Sequence, residues 1–233
     1  MKRRKLATSI AVALIVLGVA IWGGYAVYQE FSPTEKALAD LRRMPLMGLA
    51  IADHPEFEDR LREALREEAR NPTTGGPTRP LQIVGELRRD VIAPVLRNAD
   101  DASVVAAMAA RVELVKHLQK ADPPACREFA IGGISRPDKL DAEGRRLFRN
   151  VLVAMEAAYR SGRSGSPQPV ASRDKVRDML REAGFAKSDF DKLDNFATLS
   201  NDASCEVELK IDAAPPLLPA DQRGPFSRFI VAR

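Results

Sequence analysis

The sequence predicts an all-α protein: an N-terminal transmembrane helix, then an irregular exported domain of about eight helices, some short, stapled by one disulfide. Three observations carry that expectation. Leu6 to Tyr28 contains no charged side chain and follows the basic cluster Lys2-Arg3-Arg4-Lys5. Beyond it, apolar residues recur at helical spacing between proline, glycine and serine stops. Only one stretch, Cys205 to Ile211, alternates as a strand would, and a lone strand has no partner.

The apolar run comes first. At ~1.5 Å per residue, a helix from Leu6 to Tyr28 spans roughly 35 Å, against a hydrocarbon core of ~30 Å. The basic cluster precedes it and no Lys or Arg follows until Lys36, so the positive-inside rule holds residues 1–5 in the cytoplasm and sends residues 29–233 across. The expected location is a bacterial inner membrane, with the main domain in the periplasm and residues 6–28 in contact with the bilayer. Gly24-Tyr25-Ala26 has the small-x-small spacing of a signal cleavage site, but the run is longer than a secretory signal needs. Trp22, Tyr25 and Tyr28 cluster at its far end like an interfacial belt, which favours a retained anchor. A lipid-modified cysteine is excluded, because the first cysteine is Cys126.

Charge narrows the possible partners. The chain has 36 Lys and Arg against 32 Asp and Glu. Without the four basic residues before the apolar run, 32 basic residues face 32 acidic ones, so the net charge of +4 belongs to the anchor. That removes the basic stripe that nucleic-acid binding requires, and aromatics at 6% are too few for stacking platforms. Cys126 and Cys205 both follow the apolar run and are expected to pair in an oxidising compartment.

Along the exported part, Ser32-Pro33-Thr34-Glu35 reads as a capping box opening a helix that Pro45 ends. Asp53-His54-Pro55 reads as the entry to a second helix, with Phe57, Leu61, Ala64 and Leu65 on its apolar stripe, stopped by Asn71-Pro72. Residues 71–80 form a loop. A third helix runs from about Pro80 to Arg97, kinked or ended by Pro94. Asp100 or Asp101 caps a fourth, which ends at Asp122-Pro123-Pro124.

Cys126 to Phe129 is expected as a short turn closed by Gly132-Gly133, followed by a strong helix from about Leu140 to Arg160. The Gly, Ser and Pro content of 161–171 marks a possible subdomain linker. Helices capped by Ser172 and Ser188 follow, separated by Gly184. Residues 205–211 are assigned to helix, Pro215-Pro216 breaks it, and Phe226, Phe229 and Ile230 make a last amphipathic turn.

Chemistry-bearing residues are sparse. Glu113 and His117 share one helix face at i,i+4 spacing, but the His-Glu-x-x-His zinc motif is absent. Asp53-His54 lacks the Gly-x-Ser-x-Gly elbow that would complete a nucleophile site. Gly75-Gly76 and Gly132-Gly133 lack the lysine and spacing of a phosphate loop. No catalytic, metal or cofactor residue is assigned, although the spatial pairing of carboxylates that glycoside hydrolysis would need is invisible in sequence. Two apolar stretches suit a protein partner in the envelope: Leu46, Met47, Leu49 and Ile51, and the tail residues Phe226, Phe229 and Ile230. The expected function is a membrane-anchored binding, scaffold or chaperone-like module. The alternative is a membrane-tethered envelope hydrolase, in which Glu113, His117, Asp53 or His54 would converge in a pocket.

Overall fold

The computed structural model describes residues 33–73 and 78–233. The expected transmembrane segment at 6–28 and the Gly75-Gly76 pair lie outside them. Among the described residues no helix is long and apolar enough to cross a membrane, and none of these residues forms a strand.

The chain order is α1 (Pro33–Arg43), α2 (Met47–Asp53), α3 (Pro55–Arg70), α4 (Arg79–Leu87), a π-turn (Arg88–Ile92), α5 (Ala93–Leu96), α6 (Asp101–Ala121), α7 (Pro123–Ile131) and α8 (Ala142–Ser164). It continues with α9 (Arg173–Glu182), α10 (Lys187–Asp194), α11 (Asn201–Asp212) and α12 (Ala220–Val231), with 3₁₀ turns at Pro137–Lys139, Phe196–Thr198 and Pro215–Leu217.

Local chemistry explains most boundaries. Asp100, Asp122, Asp141, Ser172 and Ser200 each accept from a backbone N–H three residues on, so α6, α7, α8, α9 and α11 start at capped ends. Gly184, at φ +90°, releases the chain after α9. At α10 the expected cap was Ser188. The helix instead starts after Ala186, whose N–H donates to Asp189 Oδ2 at 2.9 Å, so the reciprocal carboxylate does the capping.

Pro94 does not end its helix. The turn before it widens: Ala93 N–H donates back five residues to the Arg88 carbonyl. A π-turn there relieves the clash between a proline ring and the carbonyl one turn back. Two further departures share one cause, a capped start or a packed surface that outweighs local propensity. Residues 126–129, expected as a turn, belong to α7, because Asp122 caps it and Pro123 occupies the first helical position, where its missing donor costs nothing. Ser161 to Ser164, expected as linker, are the last turn of α8. There Ser161 Oγ accepts from Asp100 N–H at 2.9 Å, and Gly162 is buried against the backbone of Val95.

The longest helices, α6 and α8, run antiparallel: Asp100 meets Ser161 at one end and His117 meets Asp141 at the other. Around their first pole, Val104, Ala107 and Met108 of α6 and Ala158 and Tyr159 of α8 join apolar residues from α1 to α5 and α9 to α12 in the larger core. Around the second, Leu114, Val115 and Leu118 pack with Phe129, Leu147, Val151, Cys126 and Cys205. Cys126 on α7 and Cys205 on α11 form a disulfide with Cα atoms 5.8 Å apart, and both are fully buried. Cys205 to Ile211 is helix, as expected.

Candidate functional site

The largest concentration of buried charge sits between α6, α11 and the π-turn. α6 buries a stripe through Val104, Ala107, Met108, Leu114, Val115 and Leu118, and Arg111 occupies the same face. On α11, Cys205 is fixed inward by its disulfide, so Glu208 and Asp212, three and seven residues on, face inward too. Their side chains are 1% and 0% exposed. The Arg111 guanidinium donates from Nε to Asp212 Oδ1 at 2.9 Å and from Nη2 to Glu208 Oε1. Its Cζ lies over the Phe129 ring, 4.6 Å from the centroid.

Two more guanidiniums close the cluster. Arg233 donates to Glu208 Oε1. Arg88 donates to the main-chain oxygens of Gly132 and Arg233. Burial pushes the Asp212 carboxyl up to about 7, a shift that Arg111 opposes and Glu208 reinforces. Burial and the like charges of Arg111 and Arg233 lower Arg88. For Arg111, burial works against the charged form, and the two carboxylates more than offset it. Two carboxylate oxygens, Glu208 Oε2 and Asp212 Oδ2, are buried without a hydrogen-bond partner among the described residues.

The candidates named from sequence are dispersed. His117 Nε2 lies 2.9 Å from Asp141 Oδ1, whose carboxyl is held below its usual range by the Gly144 N–H and then by His117. Glu113 turns away to Lys116, at 3.2 Å. Asp53 spans to α8, where Arg163 lies at 2.8 Å and the Tyr159 hydroxyl donates at 3.2 Å. Burial, followed by Asp53, pushes that hydroxyl up to about 12. His54 precedes α3 at the cap position, yet its ring goes to Glu56 at 3.1 Å instead of capping. These four residues therefore make separate polar contacts and do not converge. Among the described residues, no three His, Cys, Asp or Glu are placed to hold a metal ion.

The two apolar stretches are core. Leu46 and Ile51 are buried, Met47 and Leu49 pack against the core, Phe226 and Ile230 are buried, and Phe229 is half-buried against the same cluster. α2 forms because 46–51 turns its apolar side onto α1 and α3, and the tail is not a single turn but the twelve-residue α12. Among the described residues the exposed large apolar side chains are Leu81, Ile131, Val153, Val170 and Leu217, four on different elements and Val170 in the segment before α9.

The Arg111 cluster was missed from sequence, yet a signal existed. Once 205–211 is read as helix and Cys205 as paired, positions 208 and 212 must share its buried stripe, and two acids there require a basic partner.

By class, the described residues form an all-helical, disulfide-stapled domain with a buried ion cluster. No protein-family model, no curated protein and no solved structure matches the chain.

Proposed function

We propose that this chain is a single-pass, membrane-anchored extracytoplasmic protein of a bacterial envelope, whose helical domain acts by binding, as a scaffold or chaperone-like module. The observation that carries the reading is the Cys126–Cys205 disulfide, buried between α7 and α11. A structural disulfide of this kind belongs to an oxidising compartment. The order of Lys2 to Lys5 and the uncharged run to Tyr28 sends the domain to the same side of the membrane. Binding is favoured over hydrolysis because Glu113, His117, Asp53 and His54 each face a different polar partner. The partner is a protein of the envelope, and the bilayer is met through residues 6–28.

The test has two readouts in the native membrane. Reporter fusions after Arg233 should be active outside the cytoplasm and silent inside it. Crosslinking followed by partner identification should capture a discrete envelope protein. A cytoplasmic reporter signal overturns the topology. Turnover of an envelope polymer by the purified chain, lost when Glu113 or His117 is replaced, would favour the hydrolase instead.

A further inference from the structure

We propose that Asp212 holds a proton beside Glu208 in the folded protein below neutral pH and releases it as pH rises, making the Arg111 cluster a pH-responsive latch between α6, α11 and Arg233. The argument rests on geometry. The Nε–Nη2 edge of a guanidinium is spaced for the two oxygens of one carboxylate. Here that edge is divided: Asp212 Oδ1 takes Nε and Glu208 Oε1 takes Nη2. The two carboxyl groups, one helical turn apart on α11, are therefore pressed together on one side of Arg111.

Each is left with one buried oxygen that accepts nothing among the described residues, Glu208 Oε2 and Asp212 Oδ2. Two ionised carboxylates would leave both oxygens desolvated and repelling each other. One proton, taken from solvent and placed on Asp212, replaces a bare buried acceptor with a hydroxyl. It also removes one of two like charges. Asp212 is the better host, because Glu208 also receives Arg233. The upward displacement of the Asp212 carboxyl agrees with this assignment.

The other charged groups on the surrounding elements are committed elsewhere. Arg127 of α7 donates to the carbonyls of Ala197 and Leu199, and Glu128 accepts from Ser135. Asp189 of α10 pairs with Lys210, and Lys192 with Glu206. Arg88 faces the cluster from the π-turn and donates to the main-chain oxygens of Gly132 and Arg233. Loss of the proton as pH rises puts a second negative charge beside Glu208, on the one guanidinium edge the two acids divide. That weakens the seating of α11 on α6.

The test uses the full chain in detergent micelles with ¹³C-labelled Asp and Glu carboxyls. The Asp212 and Glu208 signals are assigned through their own backbone correlations, so the reading needs no variant to fold. Between about pH 5 and about pH 9 the pair should titrate by one proton, with the Asp212 carboxyl moving most. Asp212→Asn is uncharged, carries an amide donor, and mimics the protonated acid. Over the same range the folded-to-unfolded ratio of the wild type should fall at least about tenfold relative to this variant. Both carboxyls ionised throughout the range would overturn the proposal. So would equal pH dependence in the wild type and Asp212→Asn.

Discussion

A β-carbon added to Gly162 would lie 2.1 Å from the carbonyl oxygen of Val95, so α8 and α5 touch backbone to backbone. Neither backbone can retreat without moving a helix. Gly162→Ala should destabilise the domain by at least about 2 kcal/mol, read as a lower denaturant midpoint at unchanged slope. Gly85 is the opposing control: its added β-carbon meets nothing within 4 Å in the middle of α4. Gly85→Ala should stabilise by about 0.5–1 kcal/mol through helix propensity. If both changes have the same sign, the close approach at Gly162 is not what the position requires.

Arg228 is a second tie, 1% exposed on α12. Its guanidinium donates to the carbonyls of Pro169 and Ala99, at 2.8 and 2.9 Å, and to Asp101 Oδ1 at 2.6 Å. One side chain thus fastens the segment before α9 and the entry of α6 to the last helix. Arg228→Met keeps the stem but strands the carbonyl of buried Ala99, and should cost about 2 kcal/mol. Arg228→Lys should recover only part, since an ammonium cannot reproduce the planar fork. Thermal unfolding of the two variants side by side tests the ranking.

The disulfide closes a loop with a sequence separation of 79. Chain-entropy reasoning assigns such a closure about 4.5 kcal/mol. Non-reducing and reducing gels should differ in mobility, and thiol labelling of the denatured, unreduced protein should find no free cysteine. Cys126→Ala/Cys205→Ala should lower the unfolding midpoint markedly. Two labelled thiols in the untreated protein would sink the pairing and, with it, the main support for an extracytoplasmic location.

Acid should destabilise the α1–α3 contact. The Arg42 guanidinium, hydrogen-bonded to Glu58 and seconded by Arg62, holds that carboxyl down at about 2. A carboxyl with a lowered folded value contributes stability above its ordinary value of 4.5, and loses it as pH falls toward 2. Because Arg42 is half-exposed, solvent screening limits the contribution to about 1 kcal/mol. Glu58→Gln should remove about that much at neutral pH and flatten the acid limb of the stability curve. Asp212 has the opposite sign: its raised value makes its contribution greatest in acid and lost as pH rises through about 7. The two together place the stability optimum between these limbs.

Much of the secondary structure was legible because its signals are local. The caps at Asp100, Ser172 and Gly184 and the stop at Asp122-Pro123 need only a few neighbouring residues to act. Ser161-Gly162 was misread because its composition is that of a linker, while its conformation is set by Val95 and Asp100, some sixty residues away. Met47 to Ile51 and Phe226 to Ile230 look like partner surfaces for a similar reason. A sequence shows that a face is apolar, and only packing shows which surface covers it.

By itself the sequence determined the uncharged run behind a basic cluster, the neutrality of everything beyond it, a helical class and the availability of two cysteines for pairing. These follow from composition, order and short-range periodicity, which the chain carries before it folds. The tertiary structure alone decided that Glu113, His117, Asp53 and His54 stand apart, and that Arg111, Glu208 and Asp212 meet. The physical reason is that burying a charge is costly unless its partner arrives from elsewhere. Arg111 lies about a hundred residues from the acids it holds, and only the docking of α11 on α6 brings them together.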